Sequence, residues 1–362
     1  MRILFYSSFF EYRGGETYYT EEINSLIKNY PNVKILVYSY LSGKNCVTRY
    51  SNNILWIERR TYKNFLFIKD MIKIFTKFKP TIIHSVYVVP SIVMGFLAKI
   101  FRVPSILHGR GTDINYFPFI SFKYYILAKI ACMINKKILT VSKNMKQNIL
   151  RLNKSKFKIC HIYDGVDFLK FNPKNKNYYS KNRTFEILHV GRFSPEKCHF
   201  LIVETCKKLR DNNYNFHLTL IGFGALENQI RSLIQKYNLE KWITITGYVD
   251  HENISNYYEK ADLYIQPSIT EGMPISVLEA MSMKLPVILT NVGGMLELIK
   301  NKGGIIIEKN NLDQLFKTII LYINNSQKVK NDGEINRKYI LENFNWDKHA
   351  KKLYNIYSKL MK

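Results

Sequence analysis

Cysteine, glycine and proline are scarce in this sequence of 362 residues, and each scarcity excludes a class of protein. The five cysteines include no Cys-x-x-Cys pair, so neither a zinc ribbon nor a thioredoxin-like motif is supported. An odd number also does not suit a disulfide scaffold, and we expect a reduced, cytoplasmic chain. Gly (17) and Pro (10) are too few for collagen or for Pro/Gly-rich disorder.

Long apolar runs are missing as well. The N-terminal segment MRILFYSSFFEYRGG has no small-residue cleavage site, so we expect a first β-strand and no signal peptide. The least charged stretch, residues 81–98, barely reaches transmembrane length and contains His84 and Pro90. A strand followed by a helix that opens near Pro90 explains this stretch better than a membrane span.

Acidic residues are the last scarcity: 28 Asp and Glu face 54 Lys and Arg, a net charge of +26. Residues 1–180 hold 29 basic and 9 acidic residues, whereas residues 181–362 hold 25 and 19. A generally Lys-rich composition contributes to this excess but does not explain its asymmetry. A basic first half favours an anionic partner, which can be nucleic acid, lipid headgroups or a phosphorylated substrate.

Short apolar runs alternate with helical patterns along the whole chain, which is typical of parallel βαβ units. In the first half we predict strands at 3–6, 33–38, 54–57, 82–85, 105–108 and 137–141, with helices at 17–29, 64–78, 90–101 and 121–135. In the second half we predict strands at 185–190, 217–221, 243–246, 263–266, 287–290 and 304–307, with helices at 197–211, 225–237, 253–260, 274–283 and 312–325.

The polar segment 164–180 between the two series has the composition of a linker. We therefore predict an α/β protein of two Rossmann-like, doubly wound domains facing across a cleft, residues 1–175 and 176–345. The ending WDKHAKKLYNIYSKLMK has helical apolar spacing, and we expect this helix, 346–362, to pack back on the first domain. Ligands of such folds bind at the carboxyl ends of the strands, so functional motifs should follow strands.

The segment TEGMPISVLEAMSM, residues 270–283, is such a motif. Gly272 and Pro274 open a helix whose free N–H groups make an anion site. Glu271 and Glu279 lie eight residues apart, about 2.2 helical turns, so both carboxylates can face one side. Carboxylates accept hydrogen bonds from sugar and ribose hydroxyls, although an ordinary capping Glu explains part of the pattern.

The segment HVGRFSPEK follows another strand, which ends at Gly191. Arg192 and Lys197 are two cations just beyond that strand end, and this arrangement suits a diphosphate. A solvated charged turn is the alternative interpretation.

Together these segments, with LTLIGFGALENQI and the run from Gly247 to Leu298, resemble glycosyltransferase family 4. The resemblance is close over residues 185–358 and looser before them. It implies the GT-B fold and a retaining transferase that uses a nucleotide-sugar. It also implies a context of bacterial surface-polysaccharide assembly, such as capsule, O-antigen or exopolysaccharide.

The resemblance also implies residue roles in the second half. Glu271 would contact donor-sugar hydroxyls, Glu279 the ribose, and Arg192 and Lys197 the diphosphate. The remaining donor-site residues implied there are Gly191, Gly222, Tyr248, Val249, Gly272, Met273, Pro274 and Ile275.

In the first half, Gly14 and Gly15 resemble the family's glycine-rich phosphate loop. His108 would be the active-site histidine near the donor sugar and acceptor. Arg110 and Asp113 are assigned to the acceptor side, although two extra residues separate Asp113 from the family spacing. We expect His84 and His189 to serve packing.

No Asp-x-Asp sequence occurs, and this is the motif that holds a divalent metal in the other major glycosyltransferase architecture. We therefore expect no metal and no cofactor, with Arg192, Lys197 and helix dipoles stabilising the leaving diphosphate. The implied partners are a UDP- or GDP-sugar and a saccharide or polyprenyl-diphosphate-linked acceptor. The basic, aromatic segments 62–79 and 122–130 suit an anionic membrane surface, which predicts a peripheral location at the inner face of the cytoplasmic membrane.

Three alternatives stay open from the sequence. A basic nucleic-acid-binding protein would share the charge, but no recognition motif is visible and we expect no nucleic-acid partner. A nucleotide-sugar epimerase could share the architecture, and so could a non-catalytic sugar-binding homologue. The choice between UDP and GDP, the sugar, the acceptor and the oligomeric state do not follow from the sequence.

Overall fold

The computed structural model describes residues 1–7, 16–40, 47–51, 53–59, 64–153, 155–174, 183–299 and 303–362. The chain forms two compact units. Unit 1 comprises Met1–Gly165 together with Trp346–Lys362, and unit 2 comprises Val166–Asn345.

Unit 1 is built on an eight-stranded sheet in the order β3-β4-β2-β1-β5-β6-β7-β8. Its strands are β1 Arg2–Ser7, β2 Lys34–Tyr40, β3 Val47–Ser51, β4 Ile54–Arg59, β5 Ile82–Val86, β6 Ser105–Gly109, β7 Lys137–Thr140 and β8 Ile159–His161. Every neighbouring pair is parallel except β3 with β4.

Helices cover both faces of this sheet, which makes the unit doubly wound. They are α1 Glu16–Asn29, α2 Asn64–Lys73, α3 Val88–Ile100, α4 Thr112–Asn115, α5 Phe117–Ile120, α6 Phe122–Ile134, α7 Lys143–Leu152 and, from the end of the chain, α15 Trp346–Leu360. Apolar residues of α1 and α15 form one core with the sheet. Residues of α2 and α3 form the core on the other face.

The predicted strands and helices of the first half are present, with five additions. The short strands β3 and β8 and the helices α4, α5 and α7 were not predicted. The helix predicted over 64–78 ends in a π-helical turn, Ile74–Phe78, after which Lys79 takes a left-handed conformation with φ 50°. Helix α3 begins two residues before Pro90 and follows Tyr87.

Unit 2 contains a six-stranded parallel sheet in the order β11-β10-β9-β12-β13-β14. Its strands are β9 Phe185–Val190, β10 Phe216–Ile221, β11 Ile243–Gly247, β12 Leu263–Gln266, β13 Val287–Thr290 and β14 Gly304–Ile307. If the six strands are numbered 1 to 6 along the chain, they lie in the order 3-2-1-4-5-6. This is the strand order of the dinucleotide-binding fold.

The helices of unit 2 are α8 His199–Asp211, α9 Glu227–Lys236, α10 Ile254–Lys260, α11 Ile275–Ser282, α12 Met295–Leu298, α13 Leu312–Ile323 and α14 Ser326–Asn343. Helix α14 was not predicted, because its polar sequence with Gly333 at mid-length has little helical signal. A Cβ at Gly333 would lie 2.1 Å from the Lys284 carbonyl oxygen, so this helix packs closely on the turn after α11.

The division between the units falls after Gly165, earlier than the predicted boundary at 175/176. The reason is the segment that follows, which is anchored in unit 2. Phe171 is buried, and its carbonyl oxygen accepts hydrogen bonds from Ser282 Oγ (2.9 Å) and Arg337 Nη1 (2.6 Å). Helix α15 lies in unit 1, where its stacked Tyr354 contacts Tyr30. No helix in the described part of the chain is long and apolar enough to cross a membrane.

Candidate functional site

The carboxyl ends of β9 and β12 bring a lysine and a glutamate together in unit 2. Lys197 ends a short 3₁₀ turn after β9, and its Nζ lies 2.5 Å from Oε1 of Glu271, in the loop after β12. The same carboxylate oxygen accepts hydrogen bonds from Gln266 Nε2 (2.9 Å) and Ser268 Oγ (2.8 Å). Three donors therefore hold the Glu271 carboxylate in one orientation.

The amino end of α11 places free backbone donors beside this carboxylate. Within the described residues, the amides of Gly272 and Met273 have no hydrogen-bond acceptor. Pro274 is the N-cap residue and has no N–H. These free amides, together with the positive end of the helix, form a site for an anion.

The turn before α11 is held by a close approach to a neighbouring loop. Gly293 has φ +54°, and a Cβ there would lie 1.9 Å from the Glu271 carbonyl oxygen. Gly294 N donates to the Gly272 carbonyl oxygen at 2.8 Å. These two contacts fix the backbone around Glu271.

Glu279 lies one turn into α11 and is buried. Tyr258 donates its hydroxyl to Oε2 at 2.8 Å, and His251 Nε2 lies 3.4 Å from Oε1. Lys170 in turn contacts Nδ1 of that histidine. A carboxylate oriented in this way can accept hydrogen bonds from a pair of vicinal hydroxyls.

The two cations predicted for the diphosphate have different environments. Lys197 is half-buried and paired with Glu271, whereas Arg192 is exposed and its guanidinium has no hydrogen-bond or ionic partner among the described residues. Gly191 precedes the two cations at the end of β9. Its missing side chain leaves room there, since a Cβ would lie only 3.2 Å from His189 Nε2.

The loops after β10 and β11 complete this edge of the sheet. Gly222 has φ +139°, and a Cβ would lie 2.0 Å from the Gly191 carbonyl oxygen, so only glycine permits this close approach. Its N–H donates to the Gly247 carbonyl oxygen at 3.0 Å. Tyr248 is exposed and meets the Phe223 ring edge-on, and Val249 beside it is half-buried.

Four polar residues of this site were not predicted: Gln266, Ser268, His251 and Tyr258. A signal for the first two was present, because the otherwise apolar strand that leads to Glu271 ends in Gln-Pro-Ser. The other two reach Glu279 only through the tertiary fold.

Buried ionic groups occupy the middle of unit 1. Arg110 donates to Asp164 Oδ1 at 2.9 Å and to Glu22 Oε2, and its side chain is 8% exposed. His349 of α15 lies between Glu22 Oε1 (3.3 Å) and the Tyr163 carbonyl oxygen (2.7 Å). Arg110, predicted on the acceptor side, thus has its guanidinium committed to two internal carboxylates.

Two paired histidines adjoin this ionic group. His108 Nδ1 lies 3.0 Å from His84 Nε2, and His84 Nδ1 lies 2.5 Å from the Tyr357 hydroxyl. His108 Nε2 is buried without a partner in the described chain, so one nitrogen of the predicted active-site histidine takes no part in these contacts. His84, predicted to serve packing, stacks on Phe5 at 4.6 Å.

Burial and neighbouring charges set the pKa values of this group. Burial raises the pKa of Glu22, but Arg110 and His349 outweigh it and hold that pKa well below its usual range. Asp164, the other carboxylate partner of Arg110, shows the opposite balance. There burial outweighs Arg110, and the pKa of Asp164 is raised. Burial lowers the pKa of His84 to about 4 and holds that of His108 well below its usual value.

Glu22, His84 and His108 also place three possible metal-ligand atoms within 4.8 Å of one another. The carboxylate, however, is already paired with Arg110, and the two imidazoles share a hydrogen bond. A cation would have to displace both contacts beside a buried guanidinium. The donor set therefore suits an internal ionic network better than a metal centre.

The other predicted residues of unit 1 are placed as follows. The Asp113 carboxylate accepts hydrogen bonds from the amides of Val88 and Gly111, both at 3.2 Å, and burial raises its pKa to about 6. Gly14 and Gly15 lie outside the described residues.

Comparison with known proteins decides the family. The model of "Glycosyltransferase Family 4" matches residues 12–168, and the model of "Glycosyl transferases group 1" matches residues 162–339. The chain belongs to glycosyltransferase family 4. Its two matched segments follow each other along the chain as the two units do, so the sequence resemblance is confirmed.

Relatives of this family 4 glycosyltransferase include an Escherichia coli enzyme, UDP-Gal:alpha-D-GlcNAc-diphosphoundecaprenol alpha-1,3-galactosyltransferase. It is 29% identical over 82% of this chain and 81% of its own length. A putative teichuronic acid biosynthesis glycosyltransferase of Bacillus subtilis is 25% identical over 78% of this chain and 72% of its own length.

A solved structure, HepE of Anabaena in complex with UDP-glucose, superposes with a TM-score of 0.81. It is 17% identical and covers 99% of this chain and all of its own. This likeness confirms the predicted GT-B fold.

Proposed function

We propose that this glycosyltransferase moves a sugar from a UDP-sugar to a saccharide carried on a lipid diphosphate, with retention of anomeric configuration and without a metal ion. The observation that carries the proposal is the Lys197–Glu271 pair beside the free amides of Gly272 and Met273. This arrangement places a cation, two backbone donors and a fixed carboxylate at one strand edge of unit 2. A nucleoside-diphosphate sugar has groups complementary to all of them.

Each part of the donor has a counterpart in the site. The diphosphate would lie on the amides of α11 and between Arg192 and Lys197, since cations and helix N-termini both bind phosphate. The Glu279 carboxylate would hold the ribose hydroxyls, and Glu271 the hydroxyls of the sugar. The base would pass Gly222 and meet Tyr248 and Val249. We favour uridine because the E. coli relative is a UDP-Gal transferase and the Anabaena structure is a complex with UDP-glucose.

Catalysis would rest on charge that develops as the donor bond breaks. The bond from the anomeric carbon to the diphosphate oxygen breaks with its electron pair on that oxygen, where Arg192 and Lys197 neutralise the charge. The acceptor hydroxyl forms the new bond from the same face of the sugar, and its proton passes to the departing phosphate oxygen. Fixed charges of this kind are usually the largest single catalytic term.

Unit 1 would provide acceptor groups. His108 Nε2, which has no partner within the described residues, is the group we assign to a substrate hydroxyl. Asp113 stays a candidate on the acceptor side, and Gly14 and Gly15 stay candidates for the phosphates. The E. coli relative, by its name, acts on a sugar linked to diphosphoundecaprenol. We therefore place this enzyme in surface-polysaccharide assembly, on the inner face of an anionic membrane.

The donor site is tested by thermal shift with UDP, GDP and ADP and their sugar conjugates, in the presence of a chelator. UDP at 100 times its dissociation constant should stabilise the protein by about 2.7 kcal/mol. Glu279→Ala should abolish the shift, while Glu240→Ala, an exposed glutamate of the same unit, should leave it intact. A shift with GDP alone would correct the base, and no shift with any nucleotide would refute the donor site.

The reaction is tested with UDP-galactose, UDP-glucose and UDP-N-acetylglucosamine and a polyprenyl-diphosphate-linked N-acetylglucosamine acceptor. We expect UDP release that depends on the acceptor, and a product with the anomeric configuration of the donor by NMR. Sugar release or epimerised donor without acceptor would favour an epimerase. An inverted product would refute retention while leaving the transferase assignment in place.

A further inference from the structure

The outer face of helix α3 carries an apolar stripe that nothing in the described structure covers. Val89, Val93, Phe96 and Ile100 are 52%, 40%, 55% and 71% exposed. Their spacing of four, three and four residues puts them along one side of the helix. The opposite side, with Met94 and Ala98, is buried in the core of unit 1. A helix that is apolar on both sides is expected to contact a second apolar environment in addition to its own core.

The neighbouring helices repeat this pattern. In α6 the exposed apolar residues are Phe122 (80%), Ile126 (39%) and Met133 (63%), and in α2 they are Ile68 (56%) and Ile72 (55%). Of 23 exposed large apolar side chains in the described chain, 14 belong to residues 68–133. The exposed apolar residues of unit 2 are fewer, seven in the described chain, and only Ile335 and Leu341 of α14 share an element.

The three stripes lie side by side. Helices α2 and α3 share one core on the same face of the sheet. Phe75, in the π-helical turn after α2, and Phe101, just after α3, stack their rings at 4.0 Å. Helix α3 also lies against α6, since a Cβ at Gly95 would come within 2.6 Å of the Ile134 side chain. We call the outer surface of α2, α3 and α6 the basic apolar face.

The exposed charges of the basic apolar face are all positive. Between residues 64 and 136 the only acidic residues are Asp70 and Asp113, and both turn inward. Asp70 accepts the Tyr38 hydroxyl at 2.8 Å, and Asp113 accepts two backbone amides. The exposed cations of the basic apolar face are Lys69, Lys73, Lys77, Lys99, Arg102 and Lys123.

From this juxtaposition we infer that the basic apolar face binds the surface of an anionic lipid bilayer, with its Phe and Ile side chains at the acyl boundary. Lysines next to an apolar stripe fit this environment, because their stems bury against the apolar groups while the ammonium meets lipid phosphate. A second copy of this chain would bring the same cations into contact with one another, so self-association is disfavoured. The inference deepens the proposed function, which requires a lipid-linked acceptor.

Vesicle co-sedimentation of the full chain tests the inference. Vesicles of phosphatidylcholine and phosphatidylglycerol in equal parts should bind the protein, and pure phosphatidylcholine should not. Binding should weaken as salt rises, because the charges act across an aqueous surface. Absence of binding to the mixed vesicles would overturn the inference.

Two sets of variants locate the surface. Replacement of Lys69, Lys73, Lys99 and Lys123 by Gln should weaken the partition coefficient about fivefold for each lysine. The control is the same replacement at four exposed lysines of unit 2: Lys236, Lys241, Lys317 and Lys338. Phe96→Ser with Ile100→Ser should weaken binding at least tenfold, whereas Leu321→Ser with Leu341→Ser should not.

The UDP thermal shift separates this inference from the proposed function. All these variants should keep the shift, which also establishes that they are folded. Vesicle binding that is equal in the face and control variants would refute the face while leaving the donor site in place. A dimer of the parent chain that Phe96→Ser disperses would instead assign the face to self-association and overturn the inference.

Discussion

Units 1 and 2 share a doubly wound architecture but keep their charged groups in different places. Unit 1 buries an arginine between two carboxylates and carries its lysines outside on an apolar face. Unit 2 holds Lys197, Glu271 and Glu279 at the carboxyl edge of its sheet, where we propose the donor site. The same fold therefore places its ionic groups in the interior of one unit and at the sheet edge of the other, and function has to be inferred from each site.

The largest effect should come from the interior of unit 1. Arg110→Met leaves Glu22 and Asp164 buried without their cation, which should cost about 3–5 kcal/mol of unfolding free energy. Arg231→Met removes an exposed pair with Glu227 in α9 and should cost less than about 0.5 kcal/mol. Urea unfolding followed by circular dichroism measures both. Equal costs would mean that the buried cluster does not stabilise unit 1.

Activity should respond most to the cation of unit 2. Lys197→Ala removes positive charge where we place the departing diphosphate, and kcat should fall about 10²–10³-fold. The matched variant Lys241→Ala changes an exposed lysine of the same unit and should keep the parent kcat. Lys197→Ala also leaves the buried Glu271 without its cation, so its unfolding free energy should lie below that of Lys241→Ala, and kcat has to be measured well below both unfolding transitions. Normal turnover by the Lys197 variant would remove it from the catalytic site.

Two positive-φ glycines sharpen the comparison within unit 2. Gly222→Ala forces a Cβ against the Gly191 carbonyl oxygen and should cost about 1–3 kcal/mol. Gly247 has φ +73° but open space around its Cβ, so its Ala variant bears the cost of φ alone, about 1 kcal/mol. UDP affinity by calorimetry should fall only for Gly222→Ala. A loss shared equally would argue against the close approach of the two loops.

The effect with the narrowest range of conditions concerns acid pH and two buried histidines of unit 2. Burial lowers the pKa of His199 to about 2 and that of His189 to about 4, below the unfolded value of about 6.5. Stability is then complete above about pH 6.5 and declines as pH falls, by about 1.4 kcal/mol per pH unit for each group. His199→Leu should remove one such contribution from the slope of unfolding free energy between pH 6 and pH 4.

His349 of unit 1 should act in the opposite direction. Burial lowers its pKa, but Glu22 outweighs burial and the net pKa is raised. Its contribution to stability is complete below about pH 6.5 and is lost as pH rises through the raised pKa.

The His199 prediction has its own contradicting outcome. If the slope of unfolding free energy between pH 6 and pH 4 is the same in His199→Leu as in the parent, His199 is not the group that takes up the proton on unfolding.

The strands of unit 2 were predictable almost residue by residue, because they are short apolar runs with polar ends. Strand β12 and helix α11 carry their own signals, and these same signals placed Glu271 and Glu279. Helix α14 has no such signal, since its packing depends on Gly333 and on Asn336, which donates to two distant carbonyl oxygens.

The role of Arg110 was not predictable for a related reason. Its carboxylate partners lie 54 and 88 residues away in sequence, on elements that meet it only after folding. A histidine or arginine at a strand end has the same local sequence whether it faces a ligand or an internal carboxylate. Tertiary contacts decide between these, and local pattern does not.

The return of the chain to unit 1 at Trp346 has a consequence for protein synthesis. The interior of unit 1 includes Leu353, Tyr357 and His349, which leave the ribosome after unit 2. Val166–Asn345 forms a complete compact unit and emerges before them. The larger part of unit 1 is translated before unit 2 but is completed only after it, and the nascent chain carries an unfinished unit 1 until α15 has emerged.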